Sequence, residues 1–334
     1  MLHFALASVL ATSTTSVWIH ELRTDQVGSD LSEYIELRGA PGASLDGLSY
    51  LVLGDGLGKS GSIEALVSLD GHSIPADGYF VIAESTFNKA NLGDVVDLVT
   101  GLNFEDADNV SHFLVSGFSG AVGDDLDTND DGVLDVTPWS GVLDSLALVK
   151  ELNPPSTTEY HYGACALGPL DGEVPAHVYR SGAHGVGLGA WSLGARQIGA
   201  LDTPGAGNEV GRIQVSSGGQ QLYVMEAGAA HAGQLYFLLG SLSGTSPGMS
   251  IDGVTIPLQL DPYFLWTLRE PSSPLNDSIG ALDVDGGAQA EFRLPAGGLA
   301  ALAGLHMDHA FVVLHTTSKK VVYASEPVGL DFTP

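Results

Sequence analysis

The chain has 334 residues, of which 12 are basic and 40 acidic, for a net charge of −28. Such a chain repels phosphate backbones and anionic lipid heads, so nucleic acid and membrane surfaces are disfavoured as partners, while cation binding or solubility in salty surroundings suits it. Its length sets an expectation of two domains, and 44 glycines with 16 prolines and few helical runs of Ala, Leu, Glu and Lys make the class all-β.

Residues 1–16, MLHFALASVLATSTTS, carry a ten-residue apolar run, Leu2–Ala11, followed by small polar residues. That pattern reads as a secretory signal peptide too short to span a bilayer, with only His3 in place of a basic leader. No later stretch reaches eighteen apolar residues, so no membrane span is expected. The single cysteine, Cys165, allows no intrachain disulfide and reads as a small buried hydrophobe.

From Val17 the chain repeats one grammar of short strand, turn and short strand. Val17–Arg23 and Glu33–Arg38, rich in β-branched and aromatic residues, flank a polar loop with Gly28, Ser29 and Asp30. Leu48–Leu53 ends at Gly54-Asp55-Gly56. Ile63–Leu69 alternates, and Tyr79–Ala83 follows the turn Pro75-Ala76-Asp77-Gly78. Asp94–Val99, His112–Val115 and Val142–Val149 are further short strands. Strands at such spacing with turn signals between them predict a sandwich. Residues 151–208 look looser, and the glycine-rich stretch Gly182–Gly194 reads as a tight or flexible loop. It has no GK[ST] and no surrounding βαβ pattern, so it is no phosphate loop. Asp202–Asn208, DTPGAGN, has the turn chemistry of a domain end.

Several of these segments together resemble the bacterial lamin-tail-domain family. They are Glu21-Leu22 on the opening strand, EYIEL at Glu33–Leu37, IPADGYFVIA at Ile74–Ala83, VLDSLALV at Val142–Val149, Trp191 and the closing TPGAGN. The resemblance covers residues 17–208, and the copy is longer than usual between Ala83 and Val142. It implies an immunoglobulin-like β-sandwich that binds or anchors, often attached to secreted enzymes and without catalysis of its own.

Residues 209–334 start afresh. Ile213–Ser216, Leu222–Glu226, Gln234–Leu239, Phe264–Leu268, Ala288–Leu294, Ala310–His315 and Val321–Ala324 read as strands, with Gly218-Gly219 at a hairpin position. The expectation is a second β-sandwich domain, similar to the C-terminal modules of secreted planctomycete-type proteins.

The sharpest chemical signal is Asp124–Asp135, DDLDTNDDGVLD. Ca²⁺ takes six to eight oxygens, and a looped backbone can aim alternate side chains inward. The candidate ligands are Asp125, Asp127, Asn129, Asp131, the carbonyl of Val133 and Asp135. Gly132 falls sixth in a loop starting at Asp127, where a sharp turn is needed. Position twelve is Pro138 rather than a bidentate Glu, so a remote carboxylate such as Asp124, Asp125 or Asp144 has to complete the shell. Residues 90–149 hold twelve acids and no Lys or Arg, a repulsion that a divalent ion offsets. A solvated acidic turn is the alternative.

Other constellations are weaker. His306 and His309 have HxxH spacing, with His315 and His231 elsewhere in that half, but no Glu base is placed as in HExxH. His161, His177 and His184 form a second set. Glu21 and Glu36 sit on paired strands, where the structural expectation is that they bond to neighbouring backbone or face solvent rather than flank a glycoside. No GxSxG occurs.

The reading is a non-enzymatic, secreted or cell-surface structural or adhesion module with a calcium-stabilised acidic loop, its partner an unidentified protein or surface glycan. Two alternatives stay open. One is a carbohydrate- or peptide-binding protein using Trp139, Tyr160, Tyr162 and Trp191. The other is a metal-dependent hydrolase whose site joins His161, His177 or His184 to acids of the 124–135 loop.

Overall fold

The computed structural model describes residues 17–29, 31–87, 96–102, 104–153, 160–194, 196, 202–298 and 300–334, apart from the side chain of Leu57. The expected leader at 1–16 and the residues around Pro154-Pro155 lie outside the described residues.

The protein is all-β. The first strands are β1 (Trp18–Arg23), β2 (Tyr34–Arg38), β3 (Leu48–Gly54), β4 (Ser62–Ser68), β5 (Tyr79–Ala83) and β6 (Leu98–Val99). Then come β7 (Val110–Ser116), β8 (Gly141–Leu148), β9 (Ala166–Leu167), β10 (His177–Gly182) and β11 (Gly187–Gly194). Past residue 208 follow β12 (Gly211–Gln214), β13 (Gly219–Glu226), β14 (Leu235–Ser241), β15 (Met249–Ile251) and β16 (Val254–Ile256). The last are β17 (Leu275–Asn276), β18 (Ile279–Ala281), β19 (Gly287–Leu294), β20 (His306–Leu314), β21 (Val321–Ala324) and β22 (Val328–Thr333).

One long sheet of nine strands runs β17-β19-β13-β11-β10-β1-β2-β5-β6. It crosses residue 208, because β11 and β13 pair antiparallel over seven residues, from Gly187↔Glu226 to Leu193↔Gln220. A five-stranded sheet, β4-β3-β7-β8-β9, and a six-stranded one, β12-β22-β20-β14-β18 with β21 on β20, pack against it. Their positions follow from the alternation on β11. Leu188 and Ala190 enter a core shared with Tyr236, Leu238, Phe311 and Phe332 of the six-stranded sheet. Trp191 and Leu193 enter one shared with Tyr50, Val52, Leu114 and Leu146 of the five-stranded sheet. Neighbouring residues on a strand point to opposite faces. The two smaller sheets therefore cover opposite faces of the long one, and β11 is buried throughout.

Two expectations are corrected by the structure. Gly182–Gly194 is no loop: most of it is β11, a central strand whose glycines permit close approach. A Cβ at Gly194 would lie 2.9 Å from Nδ1 of His177. A strand covered on both faces loses the polar-apolar alternation that betrays strands in sequence. Phe264–Leu268 is no strand either. It lies within α1 (Pro262–Arg269), the α-helix among the described residues. Asp261 caps it by accepting the Phe264 N–H at 2.8 Å, and Pro262 occupies the first helical position. Both signals outweigh the apolar run.

Candidate functional site

Among the described residues, a dense group of buried ionisable side chains, His20, Glu21, Arg23, Glu36 and His177, sits on β1, β2 and β10. The β1–β2 register slips between Ile19 and Glu21, so that Ile19 faces Leu37 while Glu21 faces Glu36. The slip is a β-bulge. It keeps Ile19 and Leu22 in the core and brings His20 and Glu21 together beside Glu36. One ligand-type atom from each of the three lies within 4.8 Å of the others. Glu21 and Glu36 are fully buried and His20 is 1% exposed, so neither glutamate faces solvent.

Their oxygens hold down the segment 202–208. Glu21 Oε1 accepts from Tyr34 Oη, from His177 Nε2 at 2.9 Å and from the Thr203 N–H at 2.8 Å. Its Oε2 accepts from Thr203 Oγ1 at 2.8 Å and Asn208 Nδ2 at 3.4 Å. Glu36 Oε2 accepts from the Gly205 N–H, and its Oε1 lies 2.6 Å from His20 Nδ1. Arg23 pairs with Asp202 at the edge of the cluster. Five donors converge on Glu21, so a metal ion there would have to displace bonds the fold relies on. The cluster is a clasp that ties the link between the two halves back onto the opening strands.

Burial, with the Glu21 charge next, pushes the Glu36 carboxyl well above the usual carboxylate range. Burial also depresses His20 to about 4. Both directions describe a single proton shared across the 2.6 Å contact, held on Glu36 and donated to His20 Nδ1. The other ring nitrogen, Nε2, is buried without a partner. Tyr34 is raised above its ordinary range, first by burial and then by Glu21, which keeps it a donor.

The 124–135 loop is built differently. Asp127 is fully buried. Its Oδ1 accepts the Asp131 N–H at 3.1 Å, and its Oδ2 accepts the Gly132 N–H at 2.8 Å and Tyr162 Oη at 2.7 Å. Gly132 takes the left-handed backbone its position demands, at φ 85°. Asp131 caps the Val133 N–H at 3.0 Å, and Asp135 accepts from Thr128 Oγ1 at 2.7 Å. Asp125 Oδ2 meets Lys59 Nζ at 3.1 Å, while its Oδ1 is buried with no hydrogen-bond partner. Asn129, Asp131, the Val133 residue and Asp135 are exposed. Backbone bonds from Ile63, Gly123 and Leu126 staple the loop beside β4. Among the described residues, the groupings of three ligand-type side chains within reach of one ion are His20-Glu21-Glu36 and Asp55-Glu64-Glu105. The carboxylates of Asp125, Asp127, Asp131 and Asp135 form no such group. Repulsion and the competing backbone donors hold them apart.

Asp144, the remote acid considered for the loop, is engaged elsewhere. It takes both bonds from Arg180 Nη2, at 3.1 and 3.0 Å, and the Ile19 N–H at 2.9 Å. His177 belongs to the Glu21 clasp, His184 stacks on Trp18 at 5.0 Å, and His161 reaches the Leu152 carbonyl. Among the described residues none of the three bonds to an acid of the 124–135 loop. His306 and His309 lie three apart on β20 and so face opposite ways. His306 sits between Asp331 and Asp308 at 2.6 and 3.1 Å. His309 is buried between the hydroxyls of Tyr223 and Tyr263, at 2.8 and 2.9 Å. Of the four candidate platform aromatics, Tyr162 and Trp191 are buried, and Trp139 stacks on Phe113 at 5.6 Å.

Sequence reasoning paired Glu21 with Glu36 but missed Tyr34, His177, Asp202, Thr203 and Asn208 as their partners. The usable signal was the co-occurrence of two strand glutamates with the turn sequence TPGAGN, whose free N–H groups need acceptors. No family model and no curated protein matches this chain.

Proposed function

We propose that this protein is a non-catalytic structural or adhesive module, secreted or held at a cell surface, whose acidic loop is stiffened by Ca²⁺. In this reading each half, 17–208 and 209–334, is a β-sandwich, the first immunoglobulin-like and lamin-tail-like, and the two share the long sheet. The clasp supports it, because its carboxylates are spent on anchoring a chain segment. The calcium reading rests on one observation above others: Asp127 already bends the loop through the Asp131 and Gly132 amides, as an alternate-oxygen chelating loop requires. The unpartnered Asp125 Oδ1 beside it supports the same reading. In a chain of net charge −28, a divalent ion would draw Asp125, Asp127, Asn129, Asp131, the Val133 carbonyl and Asp135 together by offsetting their repulsion.

An ion that binds only the folded chain stabilises it by mass action, by about 2.7 kcal/mol at one hundred times Kd. Thermal unfolding with Ca²⁺ and with EDTA tests this directly. The midpoint is expected to rise with Ca²⁺ and not with Mg²⁺ at equal ionic strength. An unchanged midpoint removes the ion from the proposal.

A further inference from the structure

The outer face of α1 is apolar and open, while its inner face is fixed. Phe264 enters a core with Leu239, Leu258 and Val312. Tyr263 Oη lies 2.9 Å from His309 Nε2, and the Gly240 N–H donates to Thr267 Oγ1 at 3.1 Å. With Tyr263, Phe264 and Thr267 held inward, the helix cannot roll to hide its other side. That side carries Leu265, Trp266 and Leu268. Asp261, which caps the first turn, also accepts the Leu242 and Ser243 N–H groups at 2.7 and 2.8 Å, so Leu242 and Leu260 stand at the start of the helix. Trp266 is 48% exposed and Leu260 66%. Neighbouring large apolar side chains with a tryptophan among them mark an interaction surface, which singly scattered ones do not.

The charge of the chain thins out at the same place. Residues 227–268 hold two acids, Asp252 and Asp261, and no Lys or Arg, in a chain with 40 acids. Both acids are spent on backbone amides, Asp252 on Val321 at 3.0 Å and Asp261 on the cap. At the end of the helix Arg269 and Glu270 are both exposed, and among the described residues neither enters an ion pair. An acid beside a base is self-complementary: a two-fold axis next to them sets each Arg269 against the Glu270 of the other copy. Two bodies of net charge −28 repel one another. They can meet where the surface is neutral and the charges it does carry are matched.

We propose that the outer face of α1 is a homodimer interface. Two α1 helices pack antiparallel about a two-fold axis near their last turn, Trp266 fills the centre, and Arg269 and Glu270 exchange ion pairs across the axis. One short helix and its preceding loop offer less than the roughly 800 Å² per partner of a standard interface, so the dimer dissociates in the micromolar range. It would present two copies of any binding face, which raises avidity. The inference depends neither on that use nor on the calcium loop.

Sedimentation velocity of the full chain over a concentration series, with Ca²⁺ and with EDTA, tests it. A monomer–dimer equilibrium is expected in both. Trp266→Ala should weaken it at least about thirtyfold, as loss of a central interface tryptophan does, with the thermal midpoint unchanged. Val284→Ala, which trims an apolar side chain 84% exposed elsewhere, should leave it unaltered. Arg269→Glu should weaken the dimer by setting acid against acid, and adding Glu270→Arg to it should restore the dimer, a rescue that a merely loosened helix would not give. A chain that stays monomeric at every concentration, or a dimer untouched by Trp266→Ala, would overturn the proposal. So would a monomer that floats with phosphatidylcholine vesicles only while Trp266 is intact, which would assign the face to a lipid surface.

Discussion

Two groups of carboxylates in this chain meet the same difficulty, negative charge held close together, and meet it differently. Around Glu21 and Glu36 the acids are sealed from water, and every oxygen has a hydrogen-bond partner on a strand or on the 202–208 segment. Around Asp127 one acid is buried and bent onto its own loop, while Asp131 and Asp135 stay at the surface and Asp125 meets Lys59 through one oxygen alone. The first arrangement is complete without an ion. The second is the one to which we assign Ca²⁺ in our proposal. Burial therefore separates a structural acid from a ligand-ready acid better than acidity of the neighbourhood does.

The largest test of that contrast is Glu21→Ala. It strands Tyr34, His177 and Thr203 donors in a dry site, each unmet group costing about 1–3 kcal/mol. Urea unfolding should show a loss of several kcal/mol, enough to threaten folding itself. Glu36→Gln should cost far less, about 1 kcal/mol or below. Its amide reproduces a neutral Glu36, giving N–H to His20 and accepting from Gly205. An Asp131→Asn change in the outer loop should leave the metal-free midpoint nearly unmoved and lower only the Ca²⁺-loaded one. If Glu36→Gln proves as damaging as Glu21→Ala, the neutral-carboxyl reading of the clasp fails.

Titration sharpens the same comparison. His112 and His309 are fully buried and held down to about 3 by desolvation. The unfolded chain takes up protons near 6.5 that the folded one refuses. Their contribution is complete above pH 6.5 and is lost as pH falls toward 3, about 2 kcal/mol per histidine by pH 5. The clasp behaves otherwise. His20 is lowered and Glu36 raised, so folding only moves one proton from imidazole to carboxyl. Between about pH 4.5 and 6.5 the pair contributes little slope. Above 6.5 the unfolded pair loses the proton that the folded pair keeps, and stability falls as pH rises through the Glu36 pKa. Unfolding free energies across pH 4–9 should therefore decline on the acid side chiefly through His112 and His309. In Glu36→Gln the alkaline decline should be reduced.

An effect between these is expected at Gly132. Alanine there meets both a left-handed φ of 85° and the Tyr160 ring, 2.9 Å from the new Cβ. A loss of about 1–2 kcal/mol is expected in denaturant unfolding, with weakened Ca²⁺ response if the loop chelates.

Much of the fold was readable from residue order. Tyr79–Ala83 and Val321–Ala324 match the strands residue for residue, because each is a β-branched or aromatic run closed by turn residues. What was missed shares a cause. β10 and β11 are flanked by cores on both sides or pair with strands far along the chain, so their side chains show no period that sequence can expose. The helix at Pro262–Arg269 was hidden by an apolar run, and its cap was the better signal. At the site, Glu21 and Glu36 were visible as a pair, but Asp202 and Thr203 stand more than 160 residues away.

Residue order alone determined that the chain would be built of strands and turns, that it would carry a large negative charge, and that one loop would place oxygens at alternate positions. Those are local properties, set by side-chain shape, backbone freedom and ionisation. Only the tertiary structure decided that one sheet would run through both halves, which acids would be dehydrated, and where carboxylates would meet without a cation. These depend on which distant segments are brought together, and burial and pairing arise only from that meeting.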